Sequence, residues 1–141
     1  MGLPIKSVYA RNGVLKALFD TNILIDYLNG IDAARQEIAR YAYPSISLIT
    51  WMEVLVGTTA EEEPIVREFL HRFQVVAIDQ AVAEQAITLR KVRRIKLPDA
   101  IVQATALVGS MVLITRNTKD FPEGDAGIRV PYRLDPVPPS P

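Results

Sequence analysis

Four acidic residues occupy positions where a carboxylate can do chemistry. Asp20 ends the apolar run ALF, Glu53 lies in ITWMEVLVG, Asp99 lies in LPDAIVQATAL, and Asp120 lies in ITRNTKDF. Carboxylates that crowd together repel one another, and desolvation raises their pKa values. A pocket that keeps several of them ionised therefore needs a cation.

The ligand set of such a cation would consist of oxygen atoms. The chain has no Cys and one His, His71, which we interpret as a surface or packing residue at a helix end. Oxygen ligands favour Mg²⁺ or Mn²⁺ over zinc. These cations suit phosphodiester hydrolysis, because they activate water and neutralise charge during in-line attack.

Each acid also has a purely structural explanation, which stays open at this point. Asp20 can make strand-end turn contacts, and Asp120 lies in a polar loop. Thr50 and Glu53 have the spacing of a capping box, in which both residues only stabilise a helix start. Asp99 follows a proline in a predicted first helical turn, where the helix dipole stabilises a carboxylate. The joint placement of the acids, more than any one of them, indicates a site.

The elements that must position the acids form an alternating pattern of strands and helices. Such alternation predicts an α/β fold with a mainly parallel central sheet, and ligands bind beyond the carboxyl ends of its strands. We predict strands at 15–19, 46–48, 75–78, 111–115 and 128–132, and helices at 23–28, 32–42, 50–56, 62–73, 80–94 and 98–108.

Size, charge and hydropathy exclude several classes of protein. A length of 141 residues fits one domain. With 16 basic and 16 acidic residues, any nucleic-acid surface must be local. We find no signal peptide and no apolar run of about 20 residues, so we expect a cytoplasmic protein without a membrane span.

A local basic cluster, LRKVRRIK, precedes Asp99. Cations at a helix end complement the negative dipole, which is a sufficient structural reason for the cluster. The alternative is a rim that contacts nucleic-acid phosphates beside the acids. The candidates for nucleic-acid binding are Arg93, Arg94 and Lys96 on one lip, with Arg116 and Lys119 on the other.

Four motifs together resemble the PIN-domain ribonucleases, most closely the VapC-type toxins of type II toxin–antitoxin systems. They are Asp20-Thr21-Asn22, ITWMEVLVG, LPDAIVQATAL and ITRNTKDF, which occur in the family's order and spacing between about Ala17 and Phe121. The resemblance implies a three-layer α/β/α sandwich with a mainly parallel sheet. We expect an N-terminal extension at 1–16, a PIN-like nuclease domain at 17–134 and a Pro-rich tail at 135–141.

The resemblance also implies roles for individual residues. The catalytic acids would be Asp20, Glu53, Asp99 and Asp120, with Mg²⁺ or Mn²⁺ bound directly by Asp20, Asp99 and Asp120. Asn22, Thr115 and Asn117 would orient the acids or contact the metal's water and the phosphate.

Similar toxins act on RNA, often transfer RNA, and form homodimers. A cognate antitoxin blocks their active site, and they meet DNA only through that antitoxin. Two features depart from the family pattern. Nineteen residues precede Asp20, and the bulkier Gln103 replaces a small residue in the third motif.

Two other readings remain. The chain can be a stand-alone PIN nuclease in RNA processing, or a non-catalytic binding module whose acids serve as caps and turns. A haloacid-dehalogenase-type phosphatase fits less well, because Asn22 stands where its second Asp is required. No Gly-x-x-x-x-Gly-Lys loop for a nucleoside triphosphate is present.

Overall fold

Strands and helices alternate along the chain, as the sequence pattern predicts. A computed structural model describes residues 10–11 and 14–134. The strands are β1 (Ala10–Arg11), β2 (Val14–Leu15), β3 (Ala17–Phe19), β4 (Pro44–Ser47), β5 (Gln74–Val76), β6 (Val112–Ile114) and β7 (Ile128–Arg129). The helices are α1 (Thr21–Leu28), α2 (Asp32–Ala39), α3 (Leu48–Val56), α4 (Glu63–Leu70), α5 (Gln80–Arg93) and α6 (Leu97–Val108).

Five strands form a parallel sheet in the order β5-β4-β3-β6-β7, which confirms the predicted fold class. β1 and β2 form a separate antiparallel pair. The central strands are buried on both faces, as expected for parallel strands.

Side chains on the two faces of the sheet build two separate cores. Phe19 and Ile114 point to one face, where they pack with residues of α1 to α4. Leu18 and Leu113 point to the other face, where they pack with residues of α5 and α6. This alternation follows from the two-residue period of a strand and gives the α/β/α sandwich.

The register of the central strands determines which residues meet at the carboxyl edge. Phe19 of β3 lies opposite Ile114 of β6. The next residues, Asp20 and Thr115, therefore leave the sheet side by side. The Asp20 backbone N–H donates to the Ile114 carbonyl oxygen at 2.9 Å, which extends the pairing to the point where the acid begins.

The start of α3 corrects the capping-box interpretation. Ser47, the last residue of β4, caps the helix: its Oγ accepts from the Ile49 N–H at 3.2 Å. Thr50 is already inside the helix, so the capping box at Thr50 and Glu53 is wrong. The signal was ambiguous because Ser47 and Thr50 are both good caps.

Several predicted boundaries are also wrong by a few residues. The strand predicted at 46–48 spans Pro44–Ser47, because proline is tolerated as the first residue of a strand. The helix predicted at 32–42 does begin at Asp32, and the Asp32 carboxylate accepts from Arg35 and Gln36. The helices predicted at 32–42 and 62–73 end earlier, at Ala39 and Leu70.

Parts of the predicted organisation lie outside the described residues, namely 1–9, 12–13 and the Pro-rich tail at 135–141. The domain boundaries therefore remain a prediction. Within the described ranges, none of the helices has the length and apolar character that crossing a membrane requires.

Candidate active site

Asp20 is held in place by three hydrogen bonds at the end of β3. Its carboxylate accepts from the Thr21 N–H at 2.8 Å, from Thr115 Oγ1 at 2.8 Å and from Asn22 Nδ2 at 3.1 Å. The residue is only 4% exposed. Burial raises the pKa of Asp20, and the nearby Glu53 charge raises it further, while these hydrogen bonds act in the opposite direction. The carboxylate is therefore fixed in position, in surroundings that disfavour its charged form.

Glu53 reaches the same site from α3. Its Oε1 accepts from Thr21 Oγ1 at 2.7 Å, and the Thr21 oxygen in turn accepts from the Thr50 hydroxyl at 3.1 Å. Thr50 is buried whereas Glu53 is exposed, so the contact fixes one end of a carboxylate that otherwise faces solvent. Thr21 thus links Asp20, at the end of β3, to Glu53 in α3.

Asp99 receives the combined field of the other three acids. It lies in the first turn of α6. Desolvation, followed by the charges of Asp20, Asp120 and Glu53, raises its pKa to about 6, and Lys96 acts in the opposite direction. The structure thus brings all four sequence-predicted acids within electrostatic range of one another.

Asp120 is placed by the loop that follows β6. Asn117 Nδ2 donates to its carboxylate at 3.0 Å, and the Asp120 N–H donates back to Asn117 Oδ1 at 3.2 Å. The Asn117 N–H in turn donates to Thr115 Oγ1 at 2.9 Å. Thr115 therefore connects Asp20 directly, and Asp120 through Asn117, in one network.

A cleft of about 370 Å³ opens where these residues meet. Its lining includes three of the four acids, but Asp120 is not part of it. The lining residues are Asp20, Thr21, Asn22, Ile25, Asp26, Glu53, Asp99, Arg116 and Asn117.

The possible ligands in the cleft fit a hard divalent cation, since they are carboxylate, hydroxyl and amide oxygens, and the lining contains no thiol or imidazole. His71 lies at the exposed end of α4, away from this lining. Within residues 10–11 and 14–134, however, no three acidic or histidine side chains converge closely enough to hold a metal ion as they stand.

A comparison with known protein families covers the residues that form this site. The family model for the PIN domain matches residues 17–126. The chain belongs to the PIN-domain family. The match spans most of the chain and includes all four acids.

Similar PIN domains come from several bacteria. Ribonuclease VapC10 of Mycobacterium tuberculosis is 33% identical over 113 residues, which cover 74% of this chain and 85% of that protein. A toxin–antitoxin complex from Klebsiella pneumoniae contains a chain that is 47% identical, with a TM-score of 0.79. The match covers 84% of this chain and 99% of that chain. A DNA-bound VapBC from Salmonella typhimurium is 26% identical, with a TM-score of 0.68 and coverage of 82% and 96%. This PIN domain is therefore of the VapC type.

The basic candidates have different environments in the PIN domain. Arg116 lines the cleft, whereas Arg94 and Lys119 are exposed residues outside its lining. Lys96 is exposed and acts electrostatically on Asp99.

Arg93 makes structural contacts within the protein. Its guanidinium donates to Gln103 Oε1 and to the Asp120 carbonyl oxygen, and it lies over the Phe121 ring. Gln103, which departs from the family pattern, thus contacts the arginine that holds the Asp120 loop.

Sequence reasoning missed one acid of the cleft wall. Asp26 lies in α1, is 5% exposed, and accepts from Arg116 and from the Tyr132 hydroxyl. Its partners lie 90 and 106 residues away along the chain, so no local pattern joins them. The only sequence signal was an acid in the apolar stretch ILIDYL.

Proposed function

We propose that this PIN domain is a metal-dependent endoribonuclease and the toxin of a toxin–antitoxin pair. The observation that carries the proposal is the shared cleft at the carboxyl edge of the sheet, where the charges of Asp20, Glu53 and Asp120 all raise the pKa of Asp99. Purely structural caps and turns have no reason to be concentrated in this way. Perturbed carboxylates in a cleft are typical of functional sites.

Asp20, Asp99 and Asp120 would hold the cation, Mg²⁺ or Mn²⁺, and Glu53 would complete the set. When bound, such a cation lowers the pKa of water and neutralises charge that develops on the phosphodiester. Oxygen-only donors, a partly buried cleft and mutually repelling acids all fit this role.

The chain's own residues orient the reacting groups. Thr115 and Asn22 fix the Asp20 carboxylate, and Thr21 fixes Glu53 with its second oxygen available to orient an attacking water. Asn117, which lines the cleft, holds the Asp120 carboxylate. Hydrolysis in this geometry would leave a 5′-phosphate and a 3′-hydroxyl, as the family implies.

We assign the partners by similarity. VapC10 is named a ribonuclease, the Klebsiella structure is a toxin–antitoxin complex, and the Salmonella structure is a DNA-bound VapBC. These relatives support RNA as substrate and a cognate antitoxin as inhibitor, and the family resemblance implies that transfer RNA is a candidate target. DNA would be contacted only through that antitoxin, and we propose a cytoplasmic homodimer.

Metal titration tests the proposal independently of the RNA target. Mn²⁺ at about 100 times its Kd should stabilise the protein by about 2.7 kcal/mol. In a domain of this size that corresponds to a melting temperature raised by about 5 °C or more. Asp99→Asn should lose most of the rise. If neither protein responds to Mn²⁺ or Mg²⁺, the acids act as caps and turns, and a binding module is the better assignment.

A further inference from the structure

The buried Asp26 fixes the position of Arg116, the basic side chain that the described residues contribute to the lining of the cleft. Both Asp26 carboxylate oxygens accept from Arg116, at 2.5 Å from Nε and at 2.9 Å from Nη2. The Tyr132 hydroxyl donates to the same carboxylate at 2.8 Å. In addition, the Arg116 backbone N–H donates to Asn22 Oδ1 at 3.1 Å. Arg116 is therefore fixed through both its backbone and its side chain.

This pairing keeps Arg116 away from the acids of the proposed metal site. A guanidinium with free rotation beside Asp20, Glu53 and Asp99 would pair with them, because opposite charges attract strongly in a partly buried cleft. In the described part of the chain, Arg116 pairs with Asp26 and with none of those three acids.

Arg116 keeps donors for another ligand. Arginine has five N–H donors, and the fork to Asp26 uses one on Nε and one on Nη2. The remaining donors belong to a side chain that is 29% exposed and lines the cleft. An RNA phosphate is a ligand that matches such a partly satisfied guanidinium.

We propose that Asp26, supported by Tyr132, is a positioning residue that holds Arg116 as a phosphate contact for the RNA substrate and prevents it from neutralising the catalytic acids. The proposal rests on the proposed function, since it concerns the substrate of the same cleft. It separates the cleft into an acidic part for the cation and a basic part for the phosphate. Tyr132 connects this arrangement to the segment that follows β7.

The chain contains a matched control for this network. Glu37 of α2 is also 5% exposed, accepts a forked contact from Arg129, and accepts from the Tyr41 hydroxyl. It has the same chemistry as Asp26 but does not line the cleft. Loss of either carboxylate should destabilise the fold, whereas only loss of the Asp26 carboxylate should weaken RNA binding.

The test measures binding of a short single-stranded RNA of mixed sequence, with Asp99→Asn in every protein to prevent cleavage. Titrations at several salt concentrations compare this parent with added Asp26→Asn, Tyr132→Phe, Arg116→Ala and Glu37→Gln. Thermal unfolding of each protein reports the structural effect separately. Cleavage by the wild-type protein, which retains Asp99, is measured in parallel.

Asp26→Asn should weaken RNA binding about tenfold, as expected for loss of one charge-assisted contact. The slope of log affinity against log salt should become shallower by about 0.7, the value for one phosphate contact on a single strand. Tyr132→Phe should change both quantities in the same direction but less. Glu37→Gln should lower thermal stability and leave the slope unchanged. In the Arg116→Ala background, Asp26→Asn should have no further effect on the slope.

Three outcomes would overturn the inference. An unchanged or steeper slope in Asp26→Asn would show that Asp26 does not position a phosphate contact. An equal effect of Glu37→Gln would show that the loss of binding is a general effect of destabilisation. If the wild-type protein still cleaves RNA, either of these two results contradicts this inference alone. If RNA binding and RNA cleavage are both absent, the proposed function is contradicted as well.

Discussion

The stability of the metal-free protein should depend on pH through Asp99. Desolvation and the neighbouring acids raise its folded-state pKa from the usual 3.8 to about 6. Below the lower value, the carboxyl is protonated in both folded and unfolded states and has no effect on stability. As the pH rises from about 4 to 6, the unfolded state releases its proton first, so the folded state loses stability. Above pH 6 the loss is complete and constant.

The size of this effect follows from the pKa shift and the exposure of the side chain. A shift of this size corresponds to about 3 kcal/mol at 1.36 kcal/mol per pKa unit. Asp99 is only partly buried, and the dipole of α6 favours its ionised form, so solvent screening and the dipole reduce the cost to about 1 kcal/mol. For a domain of this size, that is a change in melting temperature of about 3 °C.

The assay is thermal unfolding in chelator at pH 4 and pH 8, with wild-type protein and Asp99→Asn. Asp99→Asn should be more stable than wild type at pH 8, by up to about 1 kcal/mol, and the two should be similar near pH 4. Saturating Mg²⁺ should reverse the order at pH 8, because only the wild-type site binds it fully. A metal-free Asp99→Asn protein that is less stable than wild type at pH 8 would refute the electrostatic reasoning and favour a structural role for the carboxylate.

Two other predictions concern single contacts. Ser47→Ala should lower the free energy of unfolding by about 1 kcal/mol because it removes the cap of α3. Glu53→Gln should keep that free energy within about 0.5 kcal/mol of the wild-type value, since an exposed side chain without a capping role contributes little. Chemical denaturation of both variants measures the two changes. A larger loss in Glu53→Gln than in Ser47→Ala would restore the capping-box interpretation. Gln103→Ala should release Arg93 from one partner, loosen the Asp120 loop, and lower the cleavage rate on the order of tenfold, as expected for a misplaced catalytic group. Equal rates in Gln103→Ala and wild type would show that Arg93 holds the loop without Gln103.

Features encoded locally were predictable from the sequence. The end of β3 at Asp20 is visible in ALFDTN because an apolar run meets three residues that favour turns and helix starts. The fold class follows from the alternation of short apolar runs with helical patterns, and parallel strands then place their last residues at one edge. That rule places the residues that follow the strands at one edge, whereas the position of Asp99, which lies in the first turn of α6, depends on how that helix packs.

Features that depend on contacts between distant residues were not predictable. The pairing of Asp26 with Arg116 joins residues 90 positions apart, and the pairing of Glu37 with Arg129 joins residues 92 apart. Each acid appears in its helix as an ordinary charged residue, and burial becomes evident only when the segment after β6 is packed against α1 and α2. The α3 cap was mispredicted for a different reason, since Ser47 serves both as the last residue of β4 and as the cap.

Cleavage of an RNA pool in the presence of Mg²⁺ tests the central claim most directly. Wild type is compared with Asp20→Asn and with Asp79→Asn, because Asp79 also caps a helix after a strand but does not line the cleft. We predict cleavage by wild type and Asp79→Asn, and a loss of about 100-fold or more in Asp20→Asn, since a metal ligand contributes several kcal/mol to transition-state stabilisation. Equal cleavage by Asp20→Asn and wild type would contradict the assignment of the acidic cleft as the active site.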